Sequence, residues 1–251
     1  MYAWKCWRES RARFIFLLIM STATALLFTL QPGLEVRNGW WYFDRSEYTR
    51  DPATVVHLVS LMVLTGLLMS GFLSAVFLGA SASGSEIEPG TIEYLWTRPR
   101  TRTSVTWTHW GVCLAEMVIV AIVPTYLAAL ILGTLTRNWN LPLLMAAPWM
   151  MLIVGLPMLG LTTLMTALRR SASGGLITTT AVVSVYMIVR QLVTVPMHLH
   201  LPPLLAGPVI WLMHNNQPYS SAFPWGSLGR AVFLAAAFPL AAQYLLKRTE
   251  V

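Results

Sequence analysis

Charge is what this sequence has least of. Only 11% of its 251 residues are Asp, Glu, Lys or Arg, while 56% are hydrophobic. A soluble domain carries about a quarter charged residues. This chain cannot cover a globular surface with polar groups, so the solvent it expects is lipid. Lysine occurs only at Lys5 and Lys247. Neither stands in G-x-x-x-x-G-K-[ST], which excludes a P-loop in this chain. Cysteine is scarce as well. Cys6 and Cys113 fall near one predicted membrane face, with no metal-ligand spacing to another Cys or His, and imply no disulfide framework. There is no H-E-x-x-H zinc motif and no internal repeat. The stretch Ser171-Ala172-Ser173-Gly174 lacks the motif context and intramembrane His that a serine protease needs.

What is present is a succession of long apolar runs. At about 20 residues per span, the chain divides into six helices, near 14–30, 55–80, 111–136, 141–168, 175–197 and 228–246. Little is left over, so residues 1–251 form a single all-α membrane domain. The fourth run is 28 residues, roughly 42 Å at 1.5 Å per residue. It should tilt, protrude, or kink near Pro148 or Pro157. The second carries small residues four apart, Gly66, Ser70 and Ser74 beside Gly71, Ala75 and Gly79. That spacing lets a neighbouring helix approach closely, either within the subunit or at a dimer seam.

Residues 1–13 read as an amphipathic helix. Ala3, Cys6, Trp7, Ser10 and Phe14 share one face, and Lys5, Arg8, Glu9, Arg11 and Arg13 the other. No small-residue cleavage site follows, as a signal peptide would require. The pattern fits an uncleaved interfacial helix, with Trp4, Trp7, Arg8 and Arg11 in the headgroup layer. Residues 31–53 read as a polar loop with an interfacial aromatic cluster, Trp40, Trp41, Tyr42 and Phe43. The connection 198–227 contains an apolar run broken by Pro202, Pro203 and Pro208. It is too short and too interrupted to span, and reads as a re-entrant or surface-lying hairpin on the outer side.

Orientation follows from Lys and Arg beside the spans. With the N-terminus inside, 11 basic residues lie on the cytoplasmic side and 6 outside, and the outer connection 198–227 has none. Both termini are therefore expected in the cytoplasm, with the chain in the cell (inner) membrane. The net charge of +7 follows the membrane faces, which points to lipid headgroups rather than nucleic acid.

Ionisable residues within spans are functional suspects. Glu116 lies near the inner end of the third span, where it would snorkel or pair with Arg102 or Arg169. Arg190 lies about two turns inside the outer end of the fifth. It would either reach the outer headgroups or, with Ser70 and Ser74, line a path for an anionic or amphipathic solute. His198, His200 and His214, beside Met197 and Met213, offer soft donors for copper. No carboxylate or Cys completes a usual ligand set, and an interfacial cluster fits as well, so no metal site is assigned. His57 and His109 read as interfacial.

The most informative stretch, residues 85–102, reads SEIEPGTIEYLWTRPRTR. Ser85 and Glu88 have capping-box spacing. Ile92, Leu95 and Trp96 form an apolar edge, Glu86 and Glu93 an acidic one, and Pro99 ends the helix. Such a helix suits docking to a soluble partner as well as it suits lying on the bilayer. The segment resembles the first cytoplasmic loop of ATP-binding cassette (ABC) permeases of the ABC-2 type, the type V exporter class. The matching positions are Glu86, Glu88, Gly90, Thr91, Ile92, Glu93, Leu95, Pro99, Thr101 and Arg102. Ile87 and Trp96 depart from it, where a basic residue and Leu are usual.

The plan of the chain is similar too: a connecting helix at 1–13, a coupling-helix loop at 84–104 and a re-entrant segment at 198–227. The resemblance implies a permease that encloses a path as a homodimer or with a paralogous permease. A separate P-loop ATPase, holding ATP and Mg, would be its partner. This chain would be no enzyme and would bind no cofactor. Glu86, Glu88 and Glu93 would make polar contacts to the ATPase, and Ile92 and Leu95 would pack on it. Gly90 would allow the sharp entry to the helix, and Arg102 would anchor the loop's exit. The alternatives are an ion-gradient-driven carrier, for which paired broken helices are lacking, and an intramembrane enzyme.

Overall fold

The computed structural model describes residues 2–30, 34–37, 40–43, 46–49, 52–87, 102–137, 139, 141–197 and 225–248. They form six long helices and one small sheet. The helices are α1 (Tyr2–Thr29), α2 (Pro52–Ile87), α3 (Arg102–Thr136), α4 (Pro142–Arg169), α5 (Ala172–Met197) and α6 (Trp225–Arg248). All six are long and apolar enough to cross a membrane, the architecture of a multi-pass membrane protein. The re-entrant segment expected at 198–227 lies outside the described residues apart from its last three, which open α6.

The helices are longer than the hydropathy runs. α1 continues without a break from Tyr2 through the first span, so the helix expected at 1–13 is not set apart from it. Nothing between Arg13 and Phe14 stops a helix: there is no Pro or Gly to interrupt the backbone ladder. α3 begins at Arg102, so residues 102–110, which precede the span expected at 111–136, are its first turns. α2 runs on to Ile87. Ser85 is therefore helical and cannot act as an N-cap, whose backbone is non-helical. α4 stays helical through Pro148 and Pro157.

Between α1 and α2 lies an antiparallel meander, β1 (Leu34–Arg37), β2 (Trp40–Phe43) and β3 (Ser46–Thr49), in the order β1-β2-β3. Arg37 pairs with Trp40, leaving the two residues Asn38-Gly39 between the strands. Asn-Gly is the strongest short hairpin signal, so the stretch expected as a polar loop at 31–53 contains strands instead. A register shift between Trp41 and Tyr42 marks a bulge on the β2–β3 side.

The core sits among α1–α4, with α2 against α1, α3 and α4. One apolar cluster joins Ala25, Val63, Leu67, Ala128, Leu132 and Met151, and a second joins Leu17, Leu78, Met117, Val120 and Leu159. α5 packs on α4 and α2, α6 packs chiefly on α4, and both expose most of their apolar surface.

The small-residue ladder on α2 packs within the chain. A Cβ at Gly66 would stand 2.6 Å from the Phe28 ring of α1, and one at Gly79 would stand 2.5 Å from the Leu159 carbonyl oxygen of α4. Ser70 hydrogen-bonds Ser21 of α1 at 2.9 Å, and Thr163 of α4 donates to the Gly79 carbonyl at 3.3 Å.

The α4–α5 connection explains the Ser171–Gly174 stretch. Arg170 takes a left-handed conformation, φ 51°, which turns the chain sharply. Ser171 Oγ then accepts the Gly174 N–H at 3.3 Å. Ser171 is thus the N-cap of α5, satisfying a donor that a helix start leaves unpaired. At Gly175 a Cβ would stand 2.6 Å from the Thr166 Cα, so glycine lets α5 close against α4.

Candidate functional site

The richest chemistry among the described residues lies in the seam between α1 and α3. Cys6 Sγ is 3.3 Å from His109 Nε2. Further along both helices, one turn on α1 and two on α3, Ser10 Oγ donates to Glu116 Oε1 and also approaches the Trp7 carbonyl at 3.2 Å. The rungs rise together, Cys6 with His109 and Ser10 with Glu116, so α1 and α3 run in the same direction. Above them the seam becomes apolar at Leu17, Met117 and Val120.

The face of residues 1–13 that carries Cys6 and Ser10 therefore packs on protein. Both residues are buried, whereas Trp4, Trp7, Arg8 and Arg11 are exposed. α2 closes the seam from the side: Ser81 Oγ lies 3.7 Å from Cys113 Sγ and donates to the Leu78 carbonyl at 2.7 Å. A cavity of about 10 Å³, room for one water-sized molecule, is lined by Cys6, Ser10, Arg13, Ser81, His109, Val112 and Cys113.

Glu116 differs from its expected placement. It is 2% exposed, so it does not snorkel, and its hydrogen-bond partner is Ser10 rather than an arginine. Its second oxygen, Oε2, has no hydrogen-bond partner among the described residues. Arg169 instead donates from Nε to Thr178 Oγ1 of α5 at 3.1 Å. His109, expected at an interface with lipid, is 7% exposed and faces α1. Only the two halves of this seam carried a sequence signal, not their meeting. Cys6 and Ser10 are four apart, as are His109 and Cys113, so each pair lies on one helix face.

Among the described residues, no group of three His, Cys, Asp or Glu side chains is placed to hold a metal ion. His198, His200 and His214 lie outside those residues. No family model, no curated protein and no solved structure matches this chain. Its chemistry has to be read from its own residues.

The other expected site residues are distributed as follows. Glu88, Gly90, Thr91, Ile92, Glu93, Leu95 and Pro99 lie outside the described residues. Glu86 falls in the last turn of α2, and Arg102 is the first residue of α3, so the two helices deliver the chain to both ends of that loop. Ser70 is half-buried on Ser21, Ser74 is buried, and Arg190 lies in α5.

Proposed function

We propose that the chain is the permease subunit of an ATP-driven exporter of the ABC-2 type. The observation that carries this reading is the residue pattern Glu86, Glu88, Gly90, Thr91, Ile92, Glu93, Leu95, Pro99 and Arg102. It occupies the connection between the second and third of six apolar helices. The absence of a P-loop lysine from the sequence agrees with a motor on a separate chain. On this reading the loop is a coupling element. Its acidic edge meets the ATPase, and ATP-driven movement reaches the bundle through α2 and α3. Both termini face the cytoplasm, and two permeases enclose the path.

The test is a mild-detergent pull-down of the tagged chain from native membranes, beside the same pull-down of Glu93→Arg. A P-loop ATPase should accompany the parent chain and be lost or weakened with the variant, because a charge reversal opposes a docking contact built on carboxylates. Reproducible recovery of correctly inserted chain with no ATPase would overturn the assignment and favour a gradient-driven carrier.

A further inference from the structure

We propose that Cys6 and Cys113 form a thiol-oxidation site, at which hydrogen peroxide drives closure of a disulfide fastening α1 to α3. Both thiols line one small cavity, and no disulfide joins them in the structure. Cys6 has a built-in base, since its Sγ lies 3.3 Å from His109 Nε2. Cys113 follows His109 by four residues on the same face of α3, which sets it beside the Cys6–His109 pair. Arg13 is the exposed member of the cavity lining, so it marks the side from which a small polar oxidant enters. The transport reading uses none of these groups, and this inference does not depend on it.

The chemistry balances in two steps. Cys6 passes its thiol proton to His109, and the thiolate attacks one peroxide oxygen. The O–O bond breaks and Cys6 becomes a sulfenic acid. The departing hydroxide takes the proton back from His109 and leaves as water. Cys113 sulfur then attacks the Cys6 sulfur, forming the S–S bond and breaking the S–O bond. The hydroxide released takes the Cys113 proton and leaves as a second water. The two thiols supply two electrons and the peroxide accepts them.

The experiment uses the full chain in membrane vesicles, treated with hydrogen peroxide, then unfolded, alkylated with N-ethylmaleimide and analysed by intact mass and peptide mapping. Because Cys6 and Cys113 are the only cysteines, each product is unambiguous. Before oxidation both thiols should take up the reagent. Afterwards the monomer should have lost two hydrogens and take up none, with one peptide linking Cys6 to Cys113. His109→Gln should reach the same product roughly tenfold or more slowly, as loss of a general base predicts. Three results would overturn the proposal. One is a Cys6 carrying two or three oxygens while Cys113 still alkylates. Another is cross-linking between chains instead of within one. The third is two thiols that resist peroxide when folded yet oxidise once the chain is unfolded.

Discussion

Ser10 and Glu116 meet across the α1–α3 seam with apolar side chains above them, and Ser10, which also reaches the Trp7 carbonyl, is the carboxyl's hydrogen-bond partner among the described residues. Ser10→Ala would leave a buried carboxyl with neither oxygen hydrogen-bonded, at a cost of about 1–3 kcal/mol. We expect that loss as a lower unfolding temperature in detergent. Ser10→Ala combined with Glu116→Leu should lose less than Ser10→Ala alone, because removing both polar groups leaves nothing unsatisfied. Additive losses in a double-mutant cycle would show that the bond carries no coupling. Pattern alone made Glu116 conspicuous as a charge in a span, yet its partner was not legible there. Choosing Ser10 over Arg102 or Arg169 requires knowing that α1 and α3 are neighbours and how they align. The partner lies 106 residues away.

Among elements, glycines decide how close the helices come. Gly175 and Gly111 both lie in helices, yet a Cβ at Gly175 meets the Thr166 backbone of α4, and one at Gly111 meets nothing within 4 Å. Gly175→Ala should therefore destabilise by about 1–3 kcal/mol through overpacking. Gly111→Ala should be neutral or slightly stabilising, since Ala is the better helix former by about 1 kcal/mol. Thermal unfolding of the two variants side by side tests the contrast, and equal effects would refute the close α4–α5 approach. The small-residue ladder on α2 was legible as a close-packing stripe, but its neighbours were not. The same stripe would serve α1, α4 or a second subunit until the contacts of Gly66, Ser70 and Gly79 decide. Helix ends were read least well. Hydropathy falls off before the helix does, as the polar first turns of α3 show. The meander at residues 34–49 was missed because its aromatic run suits a membrane interface as well as a strand.

For the whole molecule, six helices are long and apolar enough to cross a membrane, and an even number of crossings would leave both termini on one side. Reporter fusions at each end should give the same signal, cytoplasmic by the distribution of Lys and Arg. Opposite signals would mean that one of the six helices does not cross. The six-helix plan was legible because about 20 apolar residues have few alternatives to a spanning helix. The candidate site was legible only in part. The 85–102 pattern names residues, whereas the α1–α3 seam emerges only when two distant helices are brought together.

The parallel pairing of α1 with α3 has a consequence in time. A ribosome adds about 5–20 residues per second, so α1 waits roughly 5–20 s before the third helix is made. During that wait the polar groups of α1 that α3 will bury are a hydroxyl and a thiol, Arg13 at the cavity's edge staying exposed. The costlier group, the Glu116 carboxyl, is synthesised second and finds Ser10 already in place. Reversed, with the carboxyl on the first helix, the nascent chain would hold a bare acid in lipid for the whole interval. The order of synthesis thus spares the growing chain its least favourable exposure.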